Sequence, residues 1–276
     1  MRPNVAAIWR RPAPDLDLRI NQSIRSGLEN TDPMGGLSLF FRADDVAVPG
    51  KKFARMMALF AKYGVPLSLA IVPVWLTPAR WQYLKGFVKN NPSRCCWYQH
   101  GWRHVNHEAE GKKQEFGDAR SLAEITQDLM RGKHRLEQLM GEAFYPVFTP
   151  PWNRCGANTL QALKSLGYAA VSRSRRSKPL SPGGLPDFFV NVDLHTRKER
   201  EAAVGWHNLL REFEQALASG FCGIMIHHQL MNAAAFEFLE VLFKALINHP
   251  EIQVVNFKDL VGQKDSLTAF TAHQRQ

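Results

Sequence analysis

His100 and His104 stand four residues apart in the stretch Gln99-His100-Gly101-Trp102-Arg103-His104-Val105-Asn106-His107, and His107 follows three residues later. That spacing is about one helical turn, so a short segment can aim two imidazoles at one metal ion. A transition-metal site usually takes a third protein ligand, often a carboxylate, and leaves other positions for water or substrate. The upstream candidate is the acidic pair Asp44-Asp45, which ends the apolar run Leu37-Ser38-Leu39-Phe40-Phe41. A second histidine pair, His227-His228, follows the apolar run from Phe221 to Ile226. Neutral imidazole is costly to bury without a partner, so this pair also points to a polar pocket. Each feature alone has a plainer reading. Aspartates after a strand make good helix caps, H-x-x-x-H recurs by chance, and Pro150-Pro151-Trp152 suits a rigid turn with a core aromatic. Only their meeting at one place would give them chemistry.

The elements that must bring them together can be read from the hydrophobic pattern. Apolar runs at 37–41, 65–72, 95–98, 145–148, 168–171, 188–194, 221–226 and 252–255 read as buried strands. Between them lie helical signals. Phe53, Met56, Met57 and Phe60 recur at helical spacing and Gly64 closes them; Thr77-Pro78 opens the next helix. Ser121 and Glu124 form a capping box for a helix reaching Met140, and further helices start at Asn158, Trp206 and Ala233. Strand then helix, repeated about eight times, means a parallel sheet with crossovers. Asp44-Asp45, His100, Thr149 to Asn153, Asp193 with His195, and His227-His228 each follow a different strand. In a (β/α) barrel all those carboxyl ends share one face, whereas an open doubly wound sheet would spread them along its edge. The expected fold is therefore α/β, a distorted (β/α) barrel of seven to eight parallel strands. It spans residues 37–262, after an N-terminal extension (1–36) without clear periodicity and before a C-terminal tail (263–276).

Composition bounds the function classes. At 276 residues, 45% hydrophobic and 22% charged, the chain reads as one soluble domain. No signal-peptide block and no run of roughly 18 apolar residues is present, so a cytoplasmic protein without a membrane partner is expected. Cys95, Cys96, Cys155 and Cys222 show no C-x-x-C spacing and read as buried reduced thiols. The net charge is +10, but the one basic run, Arg173-Ser174-Arg175-Arg176-Ser177-Lys178, lacks interleaved aromatics and reads as a solvated loop, not a nucleic-acid surface. Gly183-Gly184 lacks the strand-to-helix setting of a phosphate loop. Trp75 and Trp102 are candidate apolar walls for a sugar ring.

At these residues the sequence resembles the polysaccharide deacetylase superfamily, the NodB-homology metal-dependent carbohydrate esterases (carbohydrate esterase family four). More closely it is similar to a compact cytoplasmic branch with an HGWRHxNH…KKxEFG stretch, here His100 to His107 and then Lys112-Lys113-Gln114-Glu115-Phe116-Gly117. The resemblance runs from about Leu37 to Leu260. It implies a distorted (β/α) barrel, Asp44 as general base, Asp45, His100 and His104 as metal ligands, and His227 as general acid, with His228 beside it. The family's third motif begins with an arginine that holds the base aspartate; Thr149 stands there, leaving Arg42, Arg103 and Arg154 as possible replacements. The motif that holds the acid histidine through an aspartate is echoed only by Asp193.

What the resemblance implies is metal-assisted amide hydrolysis. One divalent ion, zinc before iron, cobalt, nickel or manganese, would lower the pKa of water and polarise an acetyl carbonyl on an N-acetylated sugar or glycan. Asp44 would take a proton, His227 would give one to the departing amine, and a backbone N–H near Trp152 would help hold the oxyanion. Pro151, Trp152, Asn153, Trp102, His228 and Trp75 are the expected substrate contacts. Adjacent strand residues point to opposite faces, so Asp44 and Asp45 cooperate only if the chain turns both inward. A carbohydrate-binding barrel without turnover is the alternative, and a two-histidine-one-carboxylate iron oxygenase is a third reading.

Overall fold

The computed structural model describes residues 5–31 and 36–263. Its strands are β1 (Leu37–Val46), β2 (Leu67–Ile71), β3 (Cys95–His100), β4 (Phe144–Thr149), β5 (Ala170–Val171), β6 (Val192–Asp193), β7 (Phe221–Ile226) and β8 (Ile252–Val255). Seven of them lie in the order β5-β4-β3-β2-β1-β7-β6, and β8 pairs with β1. Every pairing is parallel. Parallel bridges from Val171 to Asp187 and from Ser174 to Val190 link β5 to the segment entering β6, so the sheet curls round into the expected distorted barrel. The helices are α1 (Leu16–Glu29), α2 (Lys51–Tyr63), α3 (Pro78–Gly86), α4 (Leu122–Met140), α5 (Ala157–Ser165), α6 (Ala202–Ala218) and α7 (Ala233–Ile247). Among the described residues, none is long and apolar enough to cross a membrane.

Strand alternation sorts β1 into two faces. Leu39, Phe41 and Ala43 join the large core between sheet and helices. Phe40 instead belongs to an interior cluster with Ala70, Tyr98, Val147 and Met225. Val255, Phe257 and Leu260 complete that cluster, because β8 lies along the first half of β1 and a helical segment from Phe257 follows it. These residues floor the barrel at its amino end. The carboxyl end stays open, and there the alternation Phe40, Arg42, Asp44 leads from apolar floor to polar mouth.

Two sequence expectations are corrected. The N-terminal segment is not without periodicity, since α1 is a 14-residue helix. Its buried positions are Ile20, Ser23, Ile24 and Gly27, which have helical spacing, but two of the four are not apolar and the stripe is diluted. Trp9 anchors the segment by donating its indole N–H to the Leu194 carbonyl at 2.8 Å. The basic run 173–178 is not wholly solvated either. Arg173 is buried, with Nη2 2.7 Å from Asp187 Oδ2 across the bridge that closes the barrel.

The docking of α1 depends on Gly27, where a Cβ would lie 2.7 Å from Leu217 Cβ and 3.1 Å from the Glu214 carbonyl of α6. Gly27→Ala is therefore expected to destabilise the fold by about 1–3 kcal/mol through overpacking, although alanine is the better helix former by about 1 kcal/mol. Urea denaturation checks this; a stabilised variant would mean that α1 and α6 part at no cost.

Candidate metal centre

The strand β1 delivers both aspartates to the mouth through a bulge. Its register with β2 shifts between Ala43 and Val46, and Asp45 has a left-handed backbone (φ +58°). The irregularity turns Asp45 toward the mouth that Asp44 already faces, meeting the demand set by adjacent strand residues. Gln229 Nε2 donates to the Asp45 carbonyl at 2.6 Å and ties this bulge to the loop after β7.

His100 ends β3, but no helical turn carries His104. Residues 101–107 form an irregular loop, with Gly101 and His104 both left-handed (φ +59° and +61°). This corrects the helical reading of the four-residue spacing. What shapes the loop is Glu115, a buried carboxylate that accepts three consecutive amides: Trp102 at 3.1 Å, Arg103 at 2.6 Å and His104 at 3.0 Å. Gly101 leaves room for it, since a Cβ there would overlap the Glu115 carboxylate and lie 2.6 Å from Pro151 Cγ. His107 turns outward and is exposed.

Asp45, His100 and His104 offer ligand atoms that all lie within 4.8 Å of one another. His100 Nε2 is 3.2 Å and His104 Nε2 3.1 Å from the same oxygen, Asp45 Oδ1. The other nitrogen of His100, Nδ1, lies 3.0 Å from the Thr149 carbonyl, a bond that only a protonated Nδ1 can make. In neutral His100 a lone pair at Nε2 then faces a carboxylate oxygen, and two acceptors at that distance need a cation between them. The donor set thus fits a divalent transition metal. Burial favours neutral His100, but Asp45 and Asp44 outweigh it and raise its pKa. Burial likewise pushes Asp45 up, yet hydrogen bonds from His100 and His104 and the charges of His100 and His227 hold its carboxyl far below the usual range.

Asp44 sits beside this trio, buried and gripped by Arg42. The guanidinium donates Nε to Oδ1 at 2.9 Å and Nη2 to Oδ2 at 2.8 Å, a bidentate pair. It also donates to Ser172 Oγ at 2.9 Å, Asn153 Oδ1 at 2.6 Å and Met225 Sδ at 3.1 Å. Of the three arginines left open by the sequence, it is Arg42 that contacts Asp44. Thr149 bonds instead to the Tyr98 hydroxyl at 3.2 Å.

His227 places Nε2 3.9 Å from Asp45 Oδ2, and its buried Nδ1 has no partner among the described residues. Asp193 does not reach it. That carboxylate caps its own loop, accepting the amides of His195 and Thr196 at 2.9 Å each. His195, which the sequence pairs with Asp193, lies behind the site, where its Nδ1 accepts the His227 amide at 3.1 Å. Burial, with the charges of His227 and His228, keeps His195 neutral; burial also lowers His228 to about 4.

A cavity of about 930 Å³ opens over these groups. Trp75, Trp152, Asn153 and His228 line it with Asp44, Asp45, His100, His104 and His227. The rings of Trp75 and Trp152 flank His104, at centroid distances of 5.7 and 4.6 Å. Trp152 and Asn153 are both left-handed (φ +57° and +60°), an uncommon pair of non-glycine residues that aims them at the mouth. Trp102 and Pro151 are not in the wall: Trp102 packs against the cluster around Phe116, and Pro151 backs Gly101.

Solved structures with the same curled barrel include several described as polysaccharide deacetylases. A candidate polysaccharide deacetylase from Mycobacterium smegmatis superposes with a TM-score of 0.64 at 13% identity, covering 86% of this chain and 93% of that one. A candidate polysaccharide deacetylase from Pseudomonas aeruginosa PAO1 gives 0.58 at 13% identity, covering 84% and 92%. A CE4 family pseudoenzyme from Bacillus anthracis gives 0.54 at 14% identity, covering 83% and 66%. At such identities the likeness is one of fold. The family model for polysaccharide deacetylases matches residues 38–171, which include Asp44, Asp45, His100 and His104, so sequence and fold both support that superfamily. No curated protein sequence matches the chain.

Proposed function

We propose that this protein is a metal-dependent hydrolase of the polysaccharide deacetylase superfamily, from its compact cytoplasmic branch. It would remove an acetyl or similar acyl group from an N-acylated carbohydrate-like substrate by cleaving a linear amide C–N bond. The observation that carries this reading is the convergence of one carboxylate oxygen and two imidazole nitrogens beside a second carboxylate bound to arginine. The catalytic unit is residues 37–262, with residues 1–36 and 263–276 as appendages; those beyond 263 lie outside the described residues. Four buried, unpaired cysteines, with Cys95 and Cys155 pushed up to about 12 by burial, suit a reducing compartment.

A divalent ion held by Asp45, His100 and His104, zinc before other metals, would supply Lewis acidity toward water and the acyl carbonyl. Asp44, fixed by Arg42, takes the proton of the attacking water. His227, on the other side of Asp45, gives a proton to the departing amine. The backbone N–H of Trp152 donates to the developing oxyanion. Trp75 and Trp152 form flat walls for the sugar ring, with Asn153 and His228 as polar contacts.

Asp44→Asn is the direct test. It is expected to keep about one metal per chain while acetate release falls by roughly 10²–10⁴-fold, the range for a lost general base. His104→Ala in parallel should lose the metal. Wild-type turnover in Asp44→Asn would remove the mechanism. Binding of sugars with no turnover by the metal-loaded wild type would leave the carbohydrate-binding barrel.

A further inference from the structure

The wall of the cavity carries an unbalanced charge. Its only acidic side chains among the described residues are Asp44 and Asp45, whereas Lys51, Lys52, Lys113, Arg154 and Lys198 line it as well. Asp44 is paired with Arg42, and none of the five cations forms an ion pair among the described residues. Three of them follow strands that lie near one another, because β6, β7 and β1 adjoin in the sheet. Lys198 follows β6, His228 follows β7, and Lys51 and Lys52 open α2 after β1.

The start of α2 gathers positive charge. Its N-cap, Gly50, offers no side chain, its first turn holds no acid, and the two lysines stand where the helix dipole is already positive. By contrast α4 begins with a full capping box from Ser121 and Glu124. The amides of Lys51, Lys52 and Phe53 have no acceptor among the described residues. An independent observation points the same way. His228 is 4% exposed and lines the cavity, and its Nδ1 has no hydrogen-bond partner among the described residues. Its ring touches Phe53 of that first turn at 5.4 Å, and Lys52 Nζ donates to the neighbouring Gln229 carbonyl at 2.7 Å. Orphan amides, a donor-capable buried imidazole and uncompensated lysines in one wall call for an anion.

Resting on the hydrolase reading above, we propose that the first turn of α2, with Lys51, Lys52, Lys198 and His228, is a subsite for an anionic oxygen group carried by the N-acylated sugar. The group is a phosphate ester or a carboxylate, and the substrate is an anionic sugar derivative, not a neutral glycan. Gln229 joins this subsite to the metal centre, because its side chain holds the Asp45 carbonyl while its own carbonyl holds Lys52.

Calorimetric titration of the zinc-loaded full chain tests this with N-acetylglucosamine, its 1-phosphate and 6-phosphate, and N-acetylmuramic acid. An anionic sugar is expected to bind about tenfold tighter than the neutral one at low ionic strength, with the advantage shrinking as salt is added. The phosphate and carboxylate arms identify which group is taken. In the Lys51→Ala/Lys198→Ala variant the advantage should fall toward one, and Lys51→Arg/Lys198→Arg should restore it. Equal affinities for all four sugars, or no binding of any, would overturn the proposal. So would an advantage that survives in the alanine variant, since the anion would then sit on the metal. Tight anionic binding without acetate release would overturn the hydrolase reading and leave the subsite standing.

Discussion

Arg42→Met should nearly abolish hydrolysis and weaken the fold as well. Arg42 is fully buried and contributes the two parallel bonds that fix Asp44. Without it Asp44, itself 2% exposed, loses both of the bonds that fix its carboxylate at the mouth. Removing one partner of a buried pair costs about 3–5 kcal/mol. Arg42→Lys separates the two effects. It keeps the charge but replaces a planar fork by a point donor, so a folded protein with its metal and a rate reduced by roughly 10²-fold is expected. Turnover, elemental metal content and urea midpoints on both variants check this. A lysine variant as fast as the wild type would show that Asp44 works without geometric support.

Glu115→Gln is expected to weaken metal binding by about 10–100-fold, the usual cost of losing an outer-shell partner. The carboxylate accepts three successive amides, and a glutamine must present N–H groups to at least one of them. That opposition loosens the loop that carries His104, whereas His100 stays in place because it ends a strand. Competition titration with a chelator gives the affinity, and the fold should remain intact because the loop lies at the barrel mouth. Unchanged affinity would mean that Trp75 and Trp152, which flank His104, hold it unaided.

Both residues show what a sequence reveals and what it hides. The long apolar strands announce themselves, and β1, β3 and β7 lie where their hydrophobic runs put them. β5 and β6 have only two paired residues each, too few to set their limits by pattern. Asp45, His100 and His104 converge as their types and spacing suggest, but through a loop and not a helix, because Glu115 organises the backbone from eleven to thirteen residues downstream. Nothing local to His100 signals that. Arg42 did carry a signal. A charge inside an apolar strand, on the inward side of the alternation with Phe40 and Asp44, has to find a buried partner. Deciding among three arginines required the fold, since Thr149, Asn153 and Ser172 come from other strands and loops. The helix α1 has a weak sequence signature because serine and glycine occupy half of its buried stripe. Asp193 looked like a partner for the acid histidine, yet its nearest donors are the amides of its own loop.

The floor of the barrel has a consequence for folding. Phe40, Tyr98 and Phe188, met early and midway along the chain, pack against Phe257, with ring centroids 5.1, 5.0 and 5.8 Å away. Without Phe257 and Leu260 in place, those rings would face an interior open at its amino end. Parallel pairing between distant segments is slow to form in any case. Here the segment that closes the floor follows every strand of the sheet along the chain, so the interior dries only when that segment docks.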